Sequence, residues 1–317
     1  MLGALLATLH IMAQNGAVYD IVEHVPDGAC IMGRAEELVY EATSINVCDT
    51  ITLPAGCYRV ELMGGMGGAR SDCLVEMGQR ITTPVAGVFQ LDKATTVYAF
   101  RGGDGVGGNV NRFGNLTGAF GGASSGADSI IVADNKIFRA AGGVGQSCVR
   151  LSKYSGIFRD GSYAHGVGGG SDVANVAWCM AVCQRAYNYQ SDTYSYLYYA
   201  GGGGGAPSGV GGGKFATNSG CPDDAVVQIG GVGNSTSGGD GGSVQNAIYS
   251  PTETTKRNAS GGRGGLNVSW QCGGQTITSY GGGGGGGCVY NYEIDGGDGG
   301  SGSVGTSSTS YVRIYRM

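Results

Sequence analysis

The alternation of apolar and polar residues is clearest in CYRVELM, where Tyr58, Val60 and Leu62 alternate with Arg59 and Glu61. That is the period of a strand with one buried face. The carboxyl end repeats it: in SYVRIYR, Val312 and Ile314 alternate with Tyr311, Arg313 and Tyr315, which predicts a closing strand. Residues 44–65 place two β-type runs around Leu53-Pro54-Ala55-Gly56, a proline followed closely by glycine and therefore a turn. Residues 85–103 continue the β pattern. SIIVADNKIFRAAGG, from Ser129, predicts two strands joined at Asp134-Asn135, a pair suited to a hairpin turn. The best helical pattern is VANVAWCMAVCQRAY, residues 173–187.

Between these runs lie blocks of glycine. The chain has 66 glycines in 317 residues: 5 in 1–63, 25 in 64–200 and 36 in 201–317. The longest run is Gly281 to Gly287, between Tyr280 and Cys288. Flexible Gly/Ser linkers lack apolar punctuation, yet Ile229, Val232, Val244, Leu266, Trp270 and Ile277 interrupt the blocks here. With 41% hydrophobic and only 14% charged residues, the composition is that of a folded chain. A glycine run is ordered as a polyproline-II-type helix of three residues per turn, without internal hydrogen bonds. Its N–H and C=O groups must then find partners outside the run. Several such runs side by side satisfy one another and approach closely enough for Cα–H···O contacts. The expected fold is therefore mainly β, with a bundle of glycine-rich polyproline-II-type helices whose packing unit is backbone. An expected domain division is residues 1–13, 14–43 and 44–317, the last being the glycine-rich β/polyproline-II domain.

Ordering a glycine costs roughly 0.5–1 kcal/mol more than ordering alanine, so this composition carries an entropic deficit. The ten cysteines answer it. Cys30, Cys48, Cys57, Cys73, Cys148, Cys179, Cys183, Cys221, Cys272 and Cys288 are an even set without CxxC pairs or neighbouring histidines. They point to disulfides, not zinc, and to an oxidising compartment. Sequons at Asn115, Asn234, Asn258 and Asn267 are glycan acceptors in a eukaryotic secretory pathway, or chance in a chain rich in Asn, Ser and Thr. The apolar stretch LGALLATLHIMA, residues 2–13, falls short of the roughly 20 residues that span a bilayer. It fits a signal-peptide core without its basic flank, the stub of a pilin-like helix, or a buried helix. Membrane contact is expected only through this segment, if it is uncleaved.

Candidate chemistry is sparse. Net charge is −5 with scattered basic residues, which excludes a phosphate-binding stripe and hence nucleic acid as a partner. GVGGGKF places Phe215 where a phosphate loop needs Ser or Thr. The GGDG segments at Asp104, Asp240 and Asp298 are too far apart for tandem calcium repeats, and turn residues explain them better than a calcium near Asp295 and Asp298. His10, His24 and His165 lack ligand spacing. No catalytic, cofactor or metal site is assigned, and an enzyme is not expected. One candidate binding surface stands out in residues 186–200, with Tyr187, Tyr189, Tyr194, Tyr196, Tyr198 and Tyr199 interleaved with Ser, Asn and Asp. That is the composition of a binding paratope. The period-two spacing also suits tyrosines that cover the glycine bundle, and this is the favoured reading.

The order of motifs is familiar. LPAGCYRVELMGGMGG, GGASSGADSIIV, IFRAAGGVG, the glycine blocks, GGGGGGGC, then GGSGS and YVRI resemble a glycine-rich domain over residues 44–317. That domain occurs in anaplastic lymphoma kinase and leukocyte tyrosine kinase ectodomains and in bacterial and phage surface proteins. The resemblance implies a jelly-roll-like β-sandwich fused to a bundle of glycine helices, serving extracellular binding or structure. It departs from the kinases in having neither kinase nor membrane span, and from phage proteins in having ten cysteines. The expected function is an extracellular or cell-surface structural or adhesive protein, non-catalytic, presenting loops on a disulfide-stapled scaffold. Its expected partners are a protein or glycan surface, or copies of itself in a filament. A phage tail-fibre receptor-binding adhesin and a pilin-like filament subunit are the alternatives.

Overall fold

The computed structural model describes residues 36–69, 75–77, 81–113, 116–149, 151–152, 163–164, 171, 182–188, 192–211, 222, 224–289, 292–303 and 308–317. The fold is mainly β, and no helix occurs among the described residues. None of these residues therefore belongs to a helix long and apolar enough to cross a membrane. Residues 1–13, with their three readings, lie outside this set.

The alternation at Gly56–Met63 does what its pattern predicts. Tyr58, Val60 and Leu62 are fully buried, while Arg59 and Glu61 remain partly exposed. This strand lies between Val85–Leu91 and Tyr311–Arg316, and Glu37–Glu41 completes an antiparallel four-stranded sheet beyond the latter. The last of these strands precedes residue 44, where the expected glycine-rich domain begins. Glu37–Glu41 belongs to the sheet because Tyr311–Arg316 leaves a free edge for it to pair with.

A second antiparallel sheet has the order Lys136–Ala140, Ser129–Ala133, Thr95–Phe100, Cys48–Leu53. The turn at Pro54-Ala55 thus carries the chain from this sheet to the first and does not close a hairpin. Asp134-Asn135 does close one, with Asp134 at φ 53°. One apolar cluster draws on both sheets: Tyr58, Val60, Leu62, Phe89, Val312 and Ile314 meet Leu53, Val97, Ala99, Ile131 and Ala133. Burying each larger side chain is worth about 1.5–3 kcal/mol.

Ser129–Ala133 is buried at every position. The reason lies on the far side of its sheet, where the hairpin of Val268–Cys272 and Gln275–Ser279 packs Ile277 against Phe100, Ile130 and Val132. Trp270 adds a ring contact with Phe100 at 5.6 Å between centroids. A disulfide, Cys48–Cys272, joins this hairpin to the sheet across 224 residues of sequence.

The described glycine segments are laid against one another, and their hydrogen bonds repeat every three residues. Gly262 and Gly265 donate to Gly285 and Gly282, Gly282 and Gly285 donate to Gly300 and Gly297, and Gly284 and Gly287 donate to Gly239 and Gly242. Ala200, Gly203 and Ala206 donate to Gly287, Gly284 and Gly281, and Gly122 donates to Gly283. All seven glycines from 281 to 287 are buried. Side chains have no room there. A Cβ on Gly282 would lie 2.2 Å from the Gly122 oxygen, on Gly283 2.1 Å from that of Gly203, and on Gly284 2.0 Å from that of Gly262. The heptaglycine is the packed centre of its region, and it links the glycine blocks of both halves of the chain.

Candidate functional site

The tyrosine-rich segment forms a hairpin of Val182–Asn188 with Thr193–Tyr199. The helix expected at 173–187 is corrected over Val182 to Tyr187, where a full antiparallel partner competes with a weak helical period. Residues 173–181 lie outside the described set.

Tyr196, Tyr198 and Tyr199 are buried, at 7%, 0% and 2% exposure, and cannot form a recognition surface. Ser195 through Ala200 are all buried, so cover, not display, occupies this strand. The burial does not alternate: Tyr196 and Tyr198 pack with Val244, Ala247 and Ala259, Leu197 and Tyr199 between them are equally buried, and Cys288–Val289 pairs along the strand's edge. The Tyr198 hydroxyl donates to the Ile248 carbonyl at 3.1 Å. Burial pushes its phenol well above the usual range, so it stays neutral. Tyr194 alone of these four reaches solvent, with the Arg185 guanidinium 3.4 Å from its ring centroid. Tyr187 pairs with Tyr194 in the hairpin. Tyr189 lies outside the described residues.

The cysteines divide. Cys48 and Cys272 are bonded to each other, and Cys57 and Cys183 are also disulfide-bonded. Cys288 is a correction: it carries a free, buried thiol. Burial pushes that thiol far above the usual cysteine range, although a hydrogen bond with Tyr199 acts in the opposite sense. It packs as a small apolar group and is unreactive at neutral pH. Cys148 lies in the strand Ser147–Val149, while Cys30, Cys73, Cys179 and Cys221 lie outside the described residues.

The aspartates of the glycine blocks have a role that their motif did not disclose. Asp295 accepts from the Ser260 amide and Asp298 from the Arg263 amide, both at 2.7 Å, and the Ser301 hydroxyl accepts from Leu266 N at 3.2 Å. Glu293 extends the row by accepting from Asn258 N at 3.0 Å. Each acceptor stands 35 residues after its donor. Asp240 likewise accepts from Gly264 N at 2.9 Å, and Asp104 from Met66 N at 2.7 Å. These carboxylates cap outward-facing amides of neighbouring glycine segments. Among the described residues, no three His, Cys, Asp or Glu side chains converge as a metal would require.

Sequence reasoning also missed the polar latches between sheets and glycine segments. Arg101 donates to the carbonyls of Ser310 and Ser308 at 2.9 and 3.0 Å. Asn46, at φ 58°, accepts from Gly103 N at 2.8 Å and donates to the Ser303 carbonyl at 3.1 Å. Buried Ser129 donates to the Met63 carbonyl at 2.8 Å and accepts from Gly102 N at 2.9 Å. Of these three, only Arg101, directly before Gly102, abuts a glycine block in sequence; Asn46 and Ser129 carried no such signal.

No family model and no curated protein sequence matches the chain. The geometry combines a backbone-packed interior, polar groups committed to holding it, and a disulfide that ties the second sheet to a later hairpin. Such an arrangement can resist unfolding and hold surface residues in fixed positions.

Proposed function

We propose that this chain is a secreted or cell-surface scaffold, structural or adhesive and without catalysis. In this reading the two four-stranded sheets that share the Tyr58 cluster form a jelly-roll-like sandwich, and the glycine segments are polyproline-II-type helices laid side by side. The chain is then a member of the glycine-rich domain family that its motif order resembles. One observation carries the proposal: the buried run Gly281 to Gly287 exchanges backbone hydrogen bonds, at three-residue steps, with segments around it. A threefold helix presents the same face every third residue, which is this step. A core of that kind tolerates almost no change and serves rigidity; what varies is its surface. The disulfides support an oxidising compartment. Partners are a protein or glycan surface, or further copies of the chain, with no cofactor and no nucleic acid.

The test is made on protein from its native cells. Intact cells are labelled with an impermeant amine reagent, thiols are alkylated before reduction, and peptides are mapped by mass spectrometry. The expected result is surface-labelled or secreted protein in which Cys48 and Cys272 are recovered as one disulfide-linked peptide pair. Protein found only after lysis, with both residues alkylated, would overturn the proposal.

A further inference from the structure

The two edges of the later glycine region differ. Along residues 258–266 the outward amides are capped by Glu293, Asp295, Asp298 and Ser301, which leaves a charged, closed edge. Along residues 226–233 nothing comparable occurs. Gln228 and Gly231 donate to Ser243 and Asp240 of the neighbouring segment. A Cβ on Gly230 or Gly233 would meet the carbonyl of Gly202 or Gly205, and Val227 packs on the cluster around Tyr198. One position in three, Val227, Gly230 and Gly233, therefore faces inward, while Gln228 and Gly231 lie exposed along the neighbouring segment. The third set, Val226, Ile229 and Val232, faces solvent at 45%, 54% and 60% exposure. Val210, at 55%, stands beside it, since the adjoining Gly211 abuts the Gly230 carbonyl. At about 3.1 Å rise per residue, successive members of the row stand roughly 9 Å apart on one face of a threefold helix.

We infer that this row pairs with the same row of a second copy of the chain, antiparallel about a two-fold axis at Ile229. Two features of the row select that occupant. The row reads Val, Ile, Val in either direction, so an antiparallel copy sets Ile229 on Ile229 and Val226 on Val232, the self-complementarity an isologous contact requires. Residues 225–239 carry no charge, and the aspartates that bound them are engaged, Asp224 with Lys256 and Asp240 with the Gly264 amide, which limits like-charge repulsion between two copies of a chain of net charge −5. The four side chains bury far less than the roughly 800 Å² per partner of a stable interface. The pairing is weak in dilute solution and builds up where copies are concentrated, as on one surface. It deepens the self-association branch of the proposed function and rests on that reading only for its setting.

The test is cysteine cross-linking under mild oxidation, with Ile137→Cys as a control because Ile137 is equally exposed, at 50%, on another part of the molecule. Ile229→Cys should form covalent dimers at least about tenfold faster than the control, since facing thiols share a high effective concentration. Val226→Cys and Val232→Cys should each stay near the control alone and cross-link when mixed. The unaltered chain should sediment faster as its concentration rises to the millimolar range, and Ile229→Asp should abolish that rise. Ile229→Cys no faster than Ile137→Cys, a self-linking Val226→Cys, or a monomer at millimolar concentration would each overturn the pairing. If extracellular protein carries the Cys48–Cys272 bond while these tests fail, the pairing alone is lost and the scaffold reading stands.

Discussion

A single hydrogen-to-methyl change separates two kinds of glycine in this chain. At Gly284 the added Cβ would sit 2.0 Å from the Gly262 oxygen. The obstacle is backbone, held by hydrogen bonds on both sides, so no rotamer relieves it. At Gly274, in the hairpin turn, nothing lies within 4 Å, but φ is +76° and an L-residue is strained there. Gly274→Ala should cost about 1–2 kcal/mol. Gly284→Ala should cost at least about 3 kcal/mol, or prevent folding, as overpacking without relief does. Urea denaturation of both variants checks this, and equal costs would mean that the heptaglycine is not a packed centre. Cys288 ends the same run. It is buried between its strand partners Tyr199 and Ile294, so a residue that the count of ten assigned to a disulfide is in fact packed as a small apolar side chain.

At the scale of elements, the β runs were legible wherever one face is buried and the other is wet. Gly56–Met63 and Tyr311–Arg316 follow their alternation residue by residue. Facing, though not strand character, was illegible where both faces are covered. Ser129–Ala133 and the second half of Thr193–Tyr199 lie between layers, and no period survives such burial. Strand character itself was illegible at Val182–Asn188, where a helical spacing in a short window lost to hairpin pairing. The glycine segments add an element whose edges need capping. Asp298→Ala should speed hydrogen exchange of the Arg263 amide several-fold while leaving Ser260, capped by Asp295, nearly unchanged; Asp295→Ala should do the reverse. Equal effects at both amides from either variant would deny the 35-residue register.

Across the whole molecule the Cys48–Cys272 bond ties the second sheet to a hairpin 224 residues later. Removing it frees a long loop in the unfolded chain. The double variant Cys48→Ala/Cys272→Ala should therefore lose about 2–5 kcal/mol in denaturant titrations. A smaller loss would assign the joint to the packing of Ile277 and Trp270 instead. By itself the sequence determined the β character, the turn at Asp134-Asn135 and the need for glycine to pack against backbone. These depend on local alternation, turn chemistry and the absence of Cβ atoms, all present in a stretch of a few residues. Only the tertiary structure decided which tyrosines are covered, that Cys288 stays free and which carboxylate caps which amide. Those outcomes depend on neighbours tens to hundreds of residues away in sequence, and in a backbone-packed interior such neighbours leave no side-chain pattern to read.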